Sequence, residues 1–360
     1  MNEERNQICA TYGVDTLVDD LKSGKIGGCY HEAFRTTAIV QQIVKDYEWQ
    51  TAEQLIELLS YLGEVLDKAT SVERVSSNII LRVSKGVRDE YESLLRPSKG
   101  SSSDRSTGFD AEEMLPKMMI IDDDDVQKYD QKLPDLRENL IDYLNELDSE
   151  LEASPENIAS KSVEQIHDGQ VILTIGNSKS VELFLKYANR KVKRMKVIVA
   201  ESGLHFPGHE LAIKLAESGI DTTLIPDSAI FAVMSKVNRV IIGTHSVMAN
   251  GGLKSISGSY TLSLAAKHYS VPLTVCTPIF KICPYYPISH DQVAFNKLDS
   301  PHHVYPYERS PFFNEVDIAN PLFDYVPPEL INGFVTNWGC YNPSYVYRLL
   351  SELYHRRDYL

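Results

Sequence analysis

Several features that would assign a protein quickly to a class are missing from this sequence. Its five cysteines include no C-x-x-C pair, and such a scattered, odd-numbered set is typical of reduced thiols rather than of a disulfide framework. No apolar run approaches the roughly 18 residues that a membrane span needs. The N-terminal MNEERNQICATYG is too polar for a secretory signal and too acidic for a transit peptide. We therefore expect a soluble, cytosolic protein that makes no contact with a membrane.

Basic residues are also scarce relative to acidic ones. The 360 residues include 36 Lys and Arg against 50 Asp and Glu, which gives a net charge of −14. Nucleic acids and anionic membranes attract basic patches, so this balance argues against both as direct partners. The basic run NRKVKRMK at 189–196 is interpreted as a solvated helix end that leads into a strand.

The pattern that is present is helical up to about residue 165. Thr51 and Gln54 have the spacing of a capping box. The leucines that follow recur at helical spacing and are Leu55, Leu58, Leu59 and Leu62. A segment at about 96–128, rich in Ser, Gly and acidic residues, predicts a flexible loop that interrupts the helical domain. Its run Asp122–Asp125 is interpreted as a solvated or partner-facing segment, with a metal site as the less favoured alternative.

From residue 170 the pattern changes to short strands that alternate with helices. The predicted strands are 171–175, 196–200, 222–225, 239–243 and 272–276. Their apolar, β-branched composition is typical of strands covered on both faces, and the alternation predicts a mostly parallel sheet wound by right-handed crossovers. The fold class is therefore α/β, with an N-terminal α-helical domain (1–165) followed by a Rossmann-like domain (166–360). In the second domain, Asp227 is predicted to cap a helix over 228–237.

Ligands of such a sheet bind at the carboxyl ends of the strands. The loops at these ends are 174–180, 200–210 and 242–259. None of them has the pattern G-x-G-x-x-G or G-x-x-x-x-G-K-[ST], so we expect no dinucleotide or nucleoside triphosphate cofactor. For the glycines of the last loop, phosphate binding and a purely conformational role both stay open.

The histidines of these loops predict neither a metal site nor a catalytic one. His205 and His209 are four residues apart, but Pro207 and Gly208 break the helical spacing and no third ligand is near in sequence. His245 alone is a poor basis for a nucleophilic triad. We therefore expect no metal ion and no catalytic residue.

Three stretches resemble the family of regulatory subunits of eukaryotic translation initiation factor 2B. They are the run at 237–287, which contains GTHSVMANGGLKSISGS, the segment FDYVPPELI, and the ending PSYVYRLLSELYH. The resemblance is strong from about 165 to 358 and loose over the N-terminal helices. The family is similar in fold to sugar-phosphate isomerases that act on methylthioribose 1-phosphate and ribose 1,5-bisphosphate.

Comparison with those isomerases implies that this sequence does not retain their catalytic residues. Gly176 stands at the position of a catalytic cysteine, and His245 and Gly252 stand at two aspartate positions. Gly203 and Glu210 replace the two basic groups that would clamp a phosphate. Isomerisation needs a proton relay and such a clamp, so no catalysis is implied. The residues left as candidates for a degenerate pocket or an interface are Gly176, Asn177, His209, His245, Asn250 and Gly251.

The resemblance implies a regulatory subunit of the guanine nucleotide exchange factor for translation initiation factor 2. Its implied partners are the alpha and delta subunits of the regulatory core, the gamma and epsilon catalytic subunits, and the alpha subunit of initiation factor 2, whose phosphorylation it would help to sense. The aromatic stretches 283–289 and 304–313 are candidate interfaces. Two alternatives stay open: a sensor of sugar phosphates or nucleotides, and a sugar-phosphate isomerase with altered catalytic residues.

Overall fold

Helices make up the described part of the chain before residue 165. The computed structural model describes residues 9–23, 25–69, 74–95, 129–192, 194–203, 205–286, 295–306 and 316–359. The helices are α1 (Val14–Lys22), α2 (Cys29–Asp46), α3 (Ala52–Ala69), α4 (Val75–Leu95), α5 (Leu136–Ser160) and the short α6 (Ser162–Gln165). The loop predicted at about 96–128, with its run Asp122–Asp125, lies outside the described residues.

The predicted start of α3 is present in a slightly altered form. The backbone N–H of Gln54 donates to Thr51 Oγ1 at 3.4 Å, as a capping box requires. The return bond comes from the N–H of Gln50, which donates to Gln54 Oε1 at 3.0 Å. The donor of the return bond is therefore Gln50, one residue before the Thr51 N–H that the sequence pattern predicts.

The helices on both sides of residues 96–128 share one hydrophobic core. The predicted stripe of α3 is buried at Leu55, Leu58, Leu59 and Leu62. It packs with Val83 and Val87 of α4 and with Leu140 and Leu144 of α5. Because α5 supplies part of this core, the helices before and after the segment form a single packed unit.

A sheet of seven strands follows, and all five predicted strands are confirmed. The strands of the chain are β1 (Val171–Ile175), β2 (Lys196–Ala200), β3 (Asp221–Ile225), β4 (Arg239–Gly243), β5 (Ser246–Val247), β6 (Leu253–Ile256), β7 (Leu273–Cys276), β8 (Phe323–Val326), β9 (Gly333–Val335) and β10 (Cys340–Tyr341). The large sheet has the order β10-β9-β7-β4-β1-β2-β3 and is parallel except for β10. Strands β5, β6 and β8 form a separate antiparallel sheet.

Alternate residues of the parallel strands face two different cores. Ile172 of β1 and Ile241 of β4 belong to a core that includes residues of α7 (Lys179–Lys191) and α8 (Pro207–Glu217). Leu173 and Val240 belong to the other core, with α10 (Ser259–His268) and α11 (Val346–Leu353). Helices therefore cover both faces of the sheet, which explains why the central strands β1, β4 and β7 are buried along most of their length.

The strand order reverses between β1 and β4. Successive strands run outward from β1 through β2 to β3, and then from β4 through β7 on the other side. In open α/β sheets the two loops at such a switch point diverge and leave a crevice at the carboxyl ends of the strands. This places residues 176–178 and 243–245 at the expected ligand position.

The prediction that Asp227 caps a continuous helix is wrong. Residues 227–236 form a 3₁₀ turn, the single turn α9 (Ile230–Val233) and a second 3₁₀ turn. The Asp227 carboxylate instead accepts hydrogen bonds from the backbone N–H groups of Ser202 at 3.0 Å and Gly203 at 2.7 Å. Asp227 thus accepts the backbone N–H groups of the loop that follows β2. The local sequence pattern did not reveal this tertiary contact.

A buried ion pair ties helix α4 to the end of the chain. The Arg88 guanidinium donates to the Asp358 carboxylate, and the side chains of the pair are 8% and 10% exposed. The same guanidinium lies over the Tyr129 ring at 5.0 Å.

Within the described residues, no helix is long and apolar enough to cross a lipid bilayer.

Removing the acidic partner of this pair is expected to destabilise the fold. Asp358→Ala leaves the Arg88 charge buried without a counter-ion, which costs about 3 kcal/mol or more of unfolding free energy. Urea denaturation followed by circular dichroism measures the loss. The matched control is Glu64→Ala, which removes the partner of the exposed Lys68 and should leave the midpoint unchanged. Equal midpoints for the two variants would contradict a stabilising role for the pair.

Candidate functional site

A cavity of about 690 Å³ lies at the switch point of the sheet. Its walls come from the loops after β1 and β4, from the N-terminus of α2, and from α5. The residues that line it include Cys29, Tyr30, His31, Glu152, Asn177, Ser178, Lys179, Ser180, Thr244, His245 and Lys281. The helical half of the chain therefore closes the crevice that the strand order opens.

The two strand-end loops touch each other at the back of this cavity. A Cβ atom on Gly243 would lie 2.4 Å from the Ser178 Oγ atom, so no larger residue fits there without displacing the loop after β1. Glycine at the end of β4 thus sets the distance between the two loops.

His245 is a neutral base inside the cavity. Burial is the main cause that lowers its pKa to about 3, and the nearby ammonium groups of Lys281, Lys254 and Lys297 add to the effect. Its Nε2 atom is buried and has no hydrogen-bond partner among the described residues. Its ring packs against the Phe323 ring at a centroid distance of 4.7 Å. An imidazole in this state cannot donate a proton near neutral pH.

Two buried lysines make the surroundings of His245 positive. Lys281 is 8% exposed, and its ammonium group donates to the Thr244 carbonyl at 2.9 Å. Lys254 is 5% exposed and lies over the Phe323 ring. Among the described residues that line the cavity, Glu152 is the only carboxylate and Cys29 the only thiol. The described lining of the cavity thus presents ammonium and hydroxyl groups together with two imidazoles, one thiol and one carboxylate.

Of the six candidate residues, the structure places Asn177 and His245 in the cavity lining. Gly176 precedes Asn177 and has a φ of +66°, and a Cβ atom there would contact Ile256, which also lines the cavity. The Asn177 amide donates to Glu210 Oε2 at 3.1 Å. The His209 Nε2 atom lies 3.4 Å from Glu201 Oε2. His209 therefore lies in the first turn of α8, outside the cavity lining.

Asn250 and Gly251 form the turn between β5 and β6. The Asn250 amide donates to the Tyr325 hydroxyl at 2.7 Å, and its Oδ1 accepts from the N–H of Gly252 at 2.9 Å. Gly251 has a φ of +81°, and a Cβ atom there would lie 2.9 Å from the Pro343 carbonyl oxygen. Both residues shape a turn whose packing excludes larger side chains.

His205 has two ligand-type neighbours in the fold, although no third ligand lies near it in sequence. His205 does not pair with His209; its Nε2 atom lies 2.6 Å from Asp299 Oδ2, and its ring lies 4.2 Å from the His303 ring. These partners are about a hundred residues away in sequence, which is why no local spacing revealed them.

Sequence reasoning also missed Lys281 and Ser178. Neither was singled out as a candidate, although Lys281 lies in the run 237–287 that carries the family resemblance. Lys281 reaches the cavity because the segment after β7 folds back under Thr244. For Ser178, the sequence feature that could have indicated a role at the site is its position in the predicted loop 174–180, just after β1.

A model of the Initiation factor 2 subunit family matches residues 25–343. The translation initiation factor eIF2B subunit beta of Dictyostelium discoideum is 39% identical to the chain and covers 99% of it, and the chain covers 99% of that protein. The subunit beta of Schizosaccharomyces pombe is 34% identical, with 96% of each chain covered. The ribose 1,5-bisphosphate isomerase of Archaeoglobus fulgidus is 26% identical over 81% of this chain and 94% of its own.

Solved structures agree with these relatives. The crystal structure of eIF2B beta from Chaetomium thermophilum has a TM-score of 0.73 at 26% identity, covering 98% of this chain and 94% of that one. A chain of the tetrameric eIF2B-beta2-delta2 complex from the same organism shares the fold, with a TM-score of 0.70 at 24% identity and 98% of both chains covered.

The ending PSYVYRLLSELYH (343–355) favours the beta branch of this family over the alpha and delta branches. The nearly full-length similarity to two beta subunits confirms that interpretation. The chain belongs to the initiation factor 2 subunit family, and within it is similar to the beta subunits of eIF2B.

Proposed function

We propose that this chain is a non-catalytic regulatory subunit of the guanine nucleotide exchange factor for translation initiation factor 2, acting in the cytosol. It assembles with delta and alpha subunits of the regulatory core, and through them with the gamma and epsilon catalytic subunits. The observation that carries the proposal is an exposed apolar surface on the sheet domain, combined with the similarity to eIF2B beta subunits.

The apolar surface is built from α9 and α10. Tyr260 and Leu264 follow one another at helical spacing on α10 and are 41% and 44% exposed. Phe231 of α9 is 49% exposed and lies 5.3 Å from the ring of Tyr269, itself 38% exposed. We call these four residues the α9–α10 stripe. Neighbouring exposed aromatic side chains of this kind are typical of subunit interfaces.

A delta-type subunit is the occupant we assign to the α9–α10 stripe. A structural neighbour is a chain of a tetrameric eIF2B-beta2-delta2 complex, and this assembly supports a delta-type partner for the chain described here. Of the two stretches expected to form interfaces, Tyr286 is 59% and Val304 is 56% exposed, so they offer additional contact surface. Residues 287–289 and 307–313 of these two stretches lie outside the described residues.

The N-terminal helices are assigned to contact with the alpha subunit of initiation factor 2. They form their own core, and the exposed charged residues of α3 are Glu53, Glu57, Glu64 and Lys68. This mainly acidic face does not attract a phosphate group, so the assignment rests on the similarity to eIF2B beta subunits. Sensing of phosphorylation is the regulatory role that we propose for this contact.

The cavity supports the non-catalytic part of the proposal. An aldose–ketose isomerisation needs a group that exchanges protons near neutral pH. His245 is held neutral, and Asn177 is bonded to Glu210 rather than free for a substrate. We therefore propose that the chain shares the fold of its isomerase relative but not its chemistry, because the surroundings of His245 do not suit proton transfer.

Replacing Leu264 by aspartate is expected to weaken assembly without unfolding the chain. Leu264→Asp puts a charge in the middle of the α9–α10 stripe, where desolvating it on docking is costly, so affinity for the delta subunit should fall at least about tenfold. Titration of the purified chains, followed by size-exclusion chromatography with light scattering, measures the change.

The control for this variant is Val163→Asp in α6, an apolar side chain of similar exposure at 41%. It should bind the delta subunit like the unmodified chain. If Leu264→Asp also binds normally, the stripe is not the delta interface.

Omitting this chain from a reconstituted exchange factor is expected to abolish regulation. With the chain present, phosphorylation of the alpha subunit of initiation factor 2 should slow GDP release; without it, the two forms should release GDP at the same rate. Fluorescent GDP release under single-turnover conditions gives both rates. Persistence of the full difference without the chain would assign the sensing to other subunits.

The neutral state of His245 predicts a specific dependence of stability on pH. Its pKa is about 3 in the folded chain, against 6.5 for an ordinary histidine. Between these values the unfolded state holds more protons, so stability falls as pH falls, by up to about 1.4 kcal/mol per pH unit. His245→Asn should flatten the profile between pH 6.5 and 4, as measured by urea denaturation.

The exposed His268 supplies the control for this measurement, since His268→Asn should keep the original slope. An unchanged slope for His245→Asn would mean that this imidazole titrates normally. That outcome would restore it as a candidate proton-transfer group and weaken the non-catalytic assignment.

A further inference from the structure

We propose that His205, Asp299 and His303 form a zinc site at the surface of the sheet domain. Each of the three offers one ligand atom, and these atoms all lie within 4.8 Å of one another. The site joins the loop after β2 to the segment that precedes β8. It lies apart from the cavity at the switch point, whose lining contains none of the three residues.

The contact between His205 and Asp299 has a geometry that a metal ion would complete. The Nε2 and Oδ2 atoms are 2.6 Å apart. Oδ2 is buried and, despite this short distance, meets no hydrogen-bond criterion with the described residues. Tetrahedral zinc holds N and O ligand atoms about 3.3 Å apart, so ion entry opens this pair by about 0.7 Å.

Hydrogen bonds fix the segment that carries the carboxylate of the site. The N–H of Asp299 donates to the Asn320 carbonyl at 2.8 Å, and the Asn320 amide donates to the Ser300 carbonyl at 3.0 Å. These bonds hold the backbone on both sides of the Asp299 side chain, so the carboxylate is positioned before an ion binds.

The two histidines come from segments with distinct geometry. His303 ends a 3₁₀ turn, Pro301–His303, which places it four residues after Asp299 in the pattern D-x-x-x-H. His205 has a φ of +58°, and Phe206 follows with a φ of +52°. Two consecutive non-glycine residues in this region are unfavourable, and here they turn His205 toward the other ligands. Two ligands close in sequence and one distant ligand is a spacing common in zinc sites.

The donor set selects the metal. Two imidazole nitrogens and one carboxylate oxygen suit zinc, whereas calcium and magnesium prefer oxygen ligands alone and copper(I) prefers sulfur. His205 and His303 are exposed, so three protein ligands leave the fourth position facing solvent. The ion would link the loop after β2 to the segment 299–303 and hold the two together.

Zinc binding to the full-length chain tests the site. The metal-free chain should bind one equivalent of Zn²⁺ in competition with a chromophoric chelator. His303→Gln and Asp299→Asn should each weaken binding at least about 100-fold, while His167→Gln, an exposed histidine elsewhere, should bind like the unmodified chain. Zinc should also raise the Tm of the unmodified chain and of His167→Gln but not of the two ligand variants. Equal Tm values for all metal-free chains would show that the ligand variants are folded.

Cobalt substitution separates this site from the cysteines. The Co²⁺-loaded chain should show visible d–d bands of a nitrogen- and oxygen-ligated ion, without the near-ultraviolet band of a thiolate ligand. Absence of stoichiometric binding would overturn the proposal. So would a thiolate band, or binding that survives in both His303→Gln and Asp299→Asn.

Discussion

The structure depends on the burial of helix α4 on nearly all of its sides. Twelve of its 21 residues are buried, including polar ones, and each buried polar group needs a partner because desolvation is costly. Those partners are spread over the chain: Ser76 donates to Glu32 of α2, Asn78 donates to the Phe280 carbonyl, and Arg88 pairs with Asp358. One helix thus fixes the helical half, the segment after β7 and the C-terminus relative to one another.

The cavity is a consequence of that arrangement. The sheet opens a crevice between β1 and β4, and α2 and α5 close it because α4 holds them in place. Inside, burial and nearby ammonium groups keep His245 neutral. The same scaffold supports isomerase chemistry in a relative, so function in this family is set by side chains in the loops and on the surface rather than by the fold.

Much of the fold was predictable because it rests on local patterns. Apolar strands and helical leucine stripes report burial directly, and the five predicted strands are present. Predictions failed where a side chain has a distant partner. Asp227 follows the helix-capping pattern but binds the N–H groups after β2, and His205 meets Asp299 and His303 across the fold. Local propensity carries no information on which loop will lie beside which.

The sequence by itself determined the fold class, the strands, the family and the absence of recognised cofactor motifs, because each depends on residue type and spacing along the chain. Only the tertiary structure decided that Asn177 and His245 share a cavity while Asn250 and Gly251 shape a turn. It also decided that His245 is neutral, that the α9–α10 stripe is exposed, and that His205 has two ligand-type neighbours. These properties arise from distances and burial between residues far apart in sequence, which exist only once the chain has packed.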